Sequence, residues 1–163
     1  MRILGIDPGI ATLGLGVIDV ASREDLRVVE WLTITTAAGT SLSDRLREIH
    51  TDLSEFLTDC EPDLAVVERL FFATNVRTAL DVAHGRGVIL LALSDAGIPV
   101  LEPSPLQLKA AITGDGKADK RQMQDMVMRM LKLAEIPRPD DAADALAMAL
   151  YGALVARELI MKN

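Results

Sequence analysis

Cysteine, aromatic residues and positive charge are all scarce in this sequence, and each shortage removes a class of answer. Cys60 is the only cysteine in 163 residues, so an internal disulfide is impossible and no cysteine-based metal site is on offer. Aromatics make up 3% of the chain and hydrophobic residues 50%, so a core has to be packed from Leu, Val, Ile, Ala and Met. The apolar run Val88-Ile89-Leu90-Leu91-Ala92-Leu93 falls far short of the ~20 residues that a membrane span needs. No cationic leader with a cleavage site precedes the strand-like start at Arg2, so no secretory signal is expected. A cytoplasmic protein free of membrane is the expectation.

The formal net charge is −7, whereas a protein that grips nucleic acid normally shows a basic surface. The deficit is uneven. Between 105 and 138, Lys109, Lys117, Lys120, Arg121, Arg129, Lys132 and Arg138 stand against Asp115, Asp119, Asp125 and Glu135. Seven cations against four acids give this segment +3 and leave −10 elsewhere. Acids that bind metal would neutralise part of that remainder.

The length suits one domain spanning 1–163, long enough for a substantial core. Arg2 to Ile6, Leu13 to Ile18 and Val28 to Thr35 read as strands joined by turns, an antiparallel meander. From Ser41 to about Cys60, Leu42, Leu46, Ile49, Leu53, Phe56 and Leu57 recur at helical spacing. Asp63 to Val67 reads as a fourth strand, 75–96 as a helix and Ile98 to Leu101 as a short fifth strand. Three helices follow, near 104–112, 119–134 and 140–160. A meander followed by alternating strands and helices implies an α/β fold, a five-stranded mixed sheet flanked by helices on both faces.

Acids fall where such a sheet ends. Asp7 closes the first strand ahead of Pro8-Gly9, a sequence that equally suits an ordinary type II turn. Glu68 closes the strand Leu64 to Val67, where a solvated Glu would be unremarkable taken alone. Asp141 and Asp144, three apart at the start of the last helix, share a face. Favourable interaction with the helix dipole accounts for Asp140 or Asp141. It accounts poorly for Asp144, which lies in the apolar stretch Ala142 to Leu150, where a lone charge costs several kcal/mol. Ligand sites gather beyond the carboxyl ends of strands in open α/β sheets. Crowded carboxylates there would repel by ~4 kcal/mol per pair at ~4 Å, a penalty that hard divalent cations remove.

Taken together, these residues carry a resemblance. Ile3-Leu4-Gly5-Ile6-Asp7-Pro8-Gly9, Val67-Glu68-Arg69-Leu70-Phe71-Phe72-Ala73-Thr74-Asn75, Gly85-Arg86-Gly87-Val88, Gly114-Asp115-Gly116-Lys117-Ala118-Asp119-Lys120 and Asp141-Ala142-Ala143-Asp144-Ala145-Leu146-Ala147 occur in that order. The chain resembles the RuvC family of Holliday-junction resolvases from residue 3 to about residue 150. The resemblance implies a ribonuclease-H-like fold and a homodimer. It also implies symmetric paired nicks in four-way junction DNA, using Mg²⁺ or Mn²⁺ with two ions at each site. It implies cooperation with the RuvA–RuvB branch-migration complex. Matched by motif, Asp7, Glu68, Asp141 and Asp144 would be the metal-binding and catalytic acids, with Asp140 a competitor for the third place. Lys109 and Lys120 would lie at the scissile region, Lys120 as a catalytic group, with Lys117 as a nearby alternative. Phe71 would engage bases and Arg86 would meet DNA. Arg69, where the family often has Gln, and the second aromatic Phe72 depart from the pattern.

Other readings fare worse. Gly114-Asp115-Gly116-Lys117 fails as a P-loop, since Ala111 stands where Gly is needed and Ala118 where Ser or Thr is needed; a flexible loop carrying Lys to phosphate fits better. A phosphotransferase with an Asp-x-Gly phosphate turn would need a second half that 163 residues leave no room for. A non-catalytic module for branched DNA should lack an acid, and all four are present. His50 and His84 read as structural or solvated. Ala79, Ala83, Gly85 and Gly87 could admit a partner helix or could simply pack on their own sheet.

Overall fold

Strand β1 (Arg2–Asp7) pairs antiparallel with β2 (Thr12–Val20), and β2 with β3 (Leu26–Thr35), which is the expected meander. The structure, a computed structural model, describes residues 1–22, 25–69 and 76–160, with side chains throughout except at 76–79 and 157–160. Helix α1 (Leu42–Cys60) leads to β4 (Leu64–Val67), which lies parallel to β1. Helix α2 (Val76–Asp95) leads to β5 (Val100–Leu101), parallel to β4. The strand order β3-β2-β1-β4-β5 puts β1 and β4 side by side in the middle. Helices α3 (Pro105–Thr113), α4 (Lys120–Met130) and α5 (Asp140–Ile160) complete the chain. This is the ribonuclease-H-like α/β architecture expected from the sequence.

Alternation along the strands divides the core into two layers. Leu4, Ile6, Leu13, Leu15, Val17, Ala65 and Val67 pack toward Ile49 and Leu53 of α1 and Ile89 and Leu93 of α2. Ile3, Ile18, Leu64 and Val66 point the other way, toward Leu108, Ile112, Val127, Leu146 and Leu150 of the last three helices. On that second face Gly5 and Gly14 replace side chains with bare backbone. A Cβ at Gly5 would stand 1.9 Å from the Ala145 carbonyl oxygen, and one at Gly14 would stand 2.1 Å from that of Asp141. Helix α5 therefore rests directly on the sheet, its buried Ala142, Ala143, Ala145 and Ala149 being small enough to allow it.

The helix starts are sharply defined. Ser104 with Gln107 and Asp119 with Gln122 form reciprocal capping boxes at α3 and α4, satisfying donors that a helix start leaves open. The second box fixes Lys120 as the first residue of α4. Helix α4 stops at Met130 rather than near 134. Lys132 takes a left-handed φ of 54° there, and buried Leu131 and partly buried Leu133 pack on the core. Burial overrides a helical spacing that would carry on. Among the described residues no helix is long and apolar enough to cross a membrane.

Candidate active site

Parallel neighbours end at the same edge of a sheet. Ile6 of β1 pairs with Val67 of β4, so the residues that follow, Asp7 and Glu68, come side by side at the same edge. Both follow the parity of residues facing α5: Asp7 that of Ile3 and Gly5, Glu68 that of Leu64 and Val66. The helix held down on the glycines supplies Asp144 to the same place. Asp7, Glu68 and Asp144 line one cavity of ≈ 210 Å³ with Lys109 of α3 and Lys120 of α4. Leu108, Val127, Ala147 and Met148 make its apolar wall.

The acids oppose one another's ionisation. Burial, then the charges of Asp144, Asp141 and Glu68, push the Asp7 carboxyl up to about 7, with Lys120 opposing. Burial and Asp144 raise Glu68 while Lys109 draws it down. Burial raises Asp144 against the pull of Lys120. Lys120 Nζ donates to Asp140 Oδ2 at 2.9 Å and to Asp144 Oδ2 at 3.4 Å. The bond from Lys120 holds Asp140 below the usual carboxylate range. The lysine thus balances part of a pocket that is otherwise strongly negative.

Five of the expected residues meet here: Asp7, Glu68, Asp144, Lys109 and Lys120. Asp141 is near enough to raise Asp7, yet it borders the neighbouring cleft beside Gly9 to Thr12. Asp140 is exposed and engaged by Lys120. Asp144 departs from the expectation of a buried charge without a partner: its side chain is 43% exposed and Lys120 accompanies it. Among the described residues no three acids already stand close enough to hold an ion.

Of the other expected residues, Lys117 and Arg86 are not among those lining the cavity. Lys117 is exposed and lines no part of the cavity. In its loop the Lys117 amide donates to Asp115 Oδ1 at 2.8 Å and the Asp115 amide to Thr113 Oγ1 at 3.1 Å. Arg86, expected to meet DNA, has a side chain only 15% exposed. Its Nε donates to the Glu68 carbonyl at 2.9 Å and its Nη2 pairs with Glu102, so it braces the main chain at the exit of β4. Phe71 and Phe72 lie outside the described residues.

Arg45, Thr36 and Glu102 were missed by the sequence reading. Arg45 is partly buried in α1, one turn before the buried Ile49, and no motif marks it. Only the three-dimensional placement of Glu102 opposite Arg86 shows its use.

Comparisons with known proteins agree closely. A family model described as crossover junction endodeoxyribonuclease RuvC matches residues 3–151. A crossover junction endodeoxyribonuclease RuvC of Chloroflexus aurantiacus is 52% identical over 159 residues, covering 98% of this chain and 96% of that relative. The one from Brevibacillus brevis is 49% identical over 150 residues, covering 92% and 90%. The structure of Thermus thermophilus RuvC superposes with a TM-score of 0.90 at 38% identity, covering 97% of this chain and 96% of that one. The same values hold for that protein in complex with Holliday junction substrate. A yeast mitochondrial Holliday junction resolvase shares the fold, with a TM-score of 0.69 at 17% identity, covering 98% and 80%.

Proposed function

Because the chain belongs to the RuvC family of crossover junction endodeoxyribonucleases, we propose that Asp7, Glu68 and Asp144 are the acids with which it hydrolyses the junction phosphodiester. The protein is a structure-selective endonuclease that resolves Holliday junctions in recombination and repair. One observation carries the assignment of residues: three carboxylates and two lysines from five separate elements line a single cavity.

The donor set is carboxylate oxygen only, and burial together with the charges of Asp144, Asp141 and Glu68 pushes Asp7 up to about 7. That chemistry fits a hard divalent cation, Mg²⁺ with Mn²⁺ as substitute, in two copies at each site. Asp7, Glu68 and Asp144 would hold the ions, with Asp141 joining from the adjacent cleft. When bound, such ions lower the pKa of the attacking water and stabilise the leaving oxygen. Asp7 must lose its proton from the carboxyl oxygen before it can ligate, so ion binding would release that proton and weaken as pH falls. Lys109 and Lys120 meet the non-bridging oxygens of the scissile phosphate; Lys120 leaves Asp140 and Asp144 to do so. Arg86 keeps Glu68 in register by holding its carbonyl. Phe71 engages bases, and Lys117 contacts the phosphate backbone away from the cavity.

Paired nicks require two sites, and the exposed face of α2 supports a homodimer. Leu80 and Leu91 are 54% and 53% exposed, on one helical face with His84 and Gly87. Nothing lies within 4 Å of a Cβ built at Gly87, whereas one at Gly85 would meet Ile10 inside the molecule at 3.2 Å. Gly85 thus packs inside the molecule, while Gly87 leaves room for a partner helix. Cooperation with RuvA–RuvB in the cytoplasm completes the proposal.

The test is to incubate the protein with a synthetic four-way junction, a linear duplex and Mg²⁺, and to map the nicks. Symmetric nicks confined to the junction are expected, and Asp7→Asn should abolish them while leaving junction binding largely intact. Nicking by that variant at the parental rate would refute the assignment.

A further inference from the structure

Beside the catalytic cavity, at the same edge of the sheet, lies a second cleft of ≈ 370 Å³. Gly9, Ile10, Ala11 and Thr12, the turn that follows Asp7, form one side of it, and Arg45, Asp81 and Asp141 contribute its charges. We propose that this cleft is a second phosphate subsite, in which Arg45 takes a backbone phosphate of the bound DNA strand next to the scissile one. The proposal rests on the nuclease reading and extends it to a residue that no motif marks.

Arg45 is oriented by the one buried polar side chain among the described residues. Thr36, 9% exposed, donates from Oγ1 to the Ile10 carbonyl at 2.6 Å. With its proton committed there, the hydroxyl accepts from Arg45 Nε at 2.7 Å. The chain of bonds ties the guanidinium to the turn that leaves β1, so Arg45 moves with Asp7. A neutral oxygen serves only to aim the group. Neither terminal nitrogen of Arg45 has an acceptor among the described residues, and the guanidinium forms no ion pair with Asp81 or Asp141 in the same cleft. A planar cation with two parallel donors left over matches a phosphate in fork geometry.

The position suits the next link of a strand. Asp144 lines the cavity and Asp141 the cleft, and three residues of helix advance ~4.5 Å along its axis. The two sites are therefore neighbours along α5, as consecutive phosphates are along one strand. Asp81 and Asp141 make the cleft repel a polyanion, and Arg45 is the charge that admits one.

The experiment measures junction binding by fluorescence anisotropy across a series of salt concentrations, with every variant built on Asp7→Asn so that nothing is cut. Arg45→Ala should weaken binding about tenfold, the lower end for a charge-assisted contact, and should make the slope of log K against log salt shallower by about 0.9. Arg45→Lys should restore most of the slope and only part of the affinity. Asp81→Asn should tighten binding, a gain that a damaged fold cannot produce. An unchanged slope and affinity in Arg45→Ala, with Asp81→Asn also neutral, would overturn the subsite. Equally, a tenfold loss with an unchanged slope would overturn it, because the loss would then not be of a phosphate contact. Should the unmutated protein neither bind nor nick junctions, the nuclease reading fails instead, a result readable from that control alone.

Discussion

Asp7 sits where burial and three neighbouring carboxylates all disfavour its charge, which places its ionisation at about 7. An unfolded chain would ionise it near 3.8, so the folded, metal-free protein keeps a proton there that the unfolded one gives up. The stability due to that proton is fully present below the unfolded value and is lost as pH rises through about 7. Asp7→Asn removes the loss. In chelator, the variant should match the parent near pH 4 and exceed it near pH 8 by about 1–3 kcal/mol, less than full linkage because Glu68 and Asp144 relax as they titrate. Urea denaturation at the two pH values measures this. An equal stability of the two proteins near pH 8 would show that the Asp7 carboxylate is not under electrostatic load.

At this scale the sequence was informative for the strand-end acids and silent about bracing. Asp7 and Glu68 were legible because alternation and strand ends are local properties. Asp144 was legible as a charge out of place in an apolar helix, although its partner proved to be Lys120. Arg86 was not, because the same guanidinium could face phosphate or a main-chain carbonyl. The contact with the main chain becomes visible only when β4 and Glu102 are found beside it.

Among the elements, α5 fixes the site, and its seat is made of missing side chains. Gly14→Ala would bring a Cβ to 2.1 Å from the Asp141 carbonyl oxygen, a backbone atom that cannot swing aside. The helix start would have to lift, carrying Asp141 and Asp144 with it. A destabilisation of about 3 kcal/mol or more is expected, at the upper end of overpacking costs, with loss of cleavage even in saturating Mg²⁺. A variant as stable and active as the parent would mean that α5 does not depend on this contact. The glycines stand inside apolar strands with nothing local to mark their use, and the need for close approach became visible when α5 was found above them. Helix boundaries show the same limit: the capping boxes of α3 and α4 are written locally, whereas the early end of α4 is set by where Leu131 and Leu133 find the core.

For the whole molecule, strand order had to come from beyond local pattern. The meander follows from short turns, but the pairing of β1 with β4 joins segments separated by all of β2, β3 and α1. Periodicity cannot state which strand a returning chain will meet, and the ordered family motifs supplied that part. The same holds for assembly. Each copy carries a net charge of −7, which opposes association, so a homodimer must draw its stability from apolar surface. In the proposed homodimer the stripe of Leu80, His84, Gly87 and Leu91 along α2 would be the place for it, with no Cβ at Gly87 to hold two helices apart. Placing a carboxylate at its centre by Leu91→Glu would bury an unpaired charge against its own copy and should weaken the dimer by about 100-fold or more. Leu91 is already half solvated in one copy, so the isolated chain should keep its melting temperature. Sedimentation velocity then separates the two outcomes. Monomers that still bind a junction but make the two nicks independently fit an α2 dimer, whereas an intact dimer in the variant places the interface elsewhere.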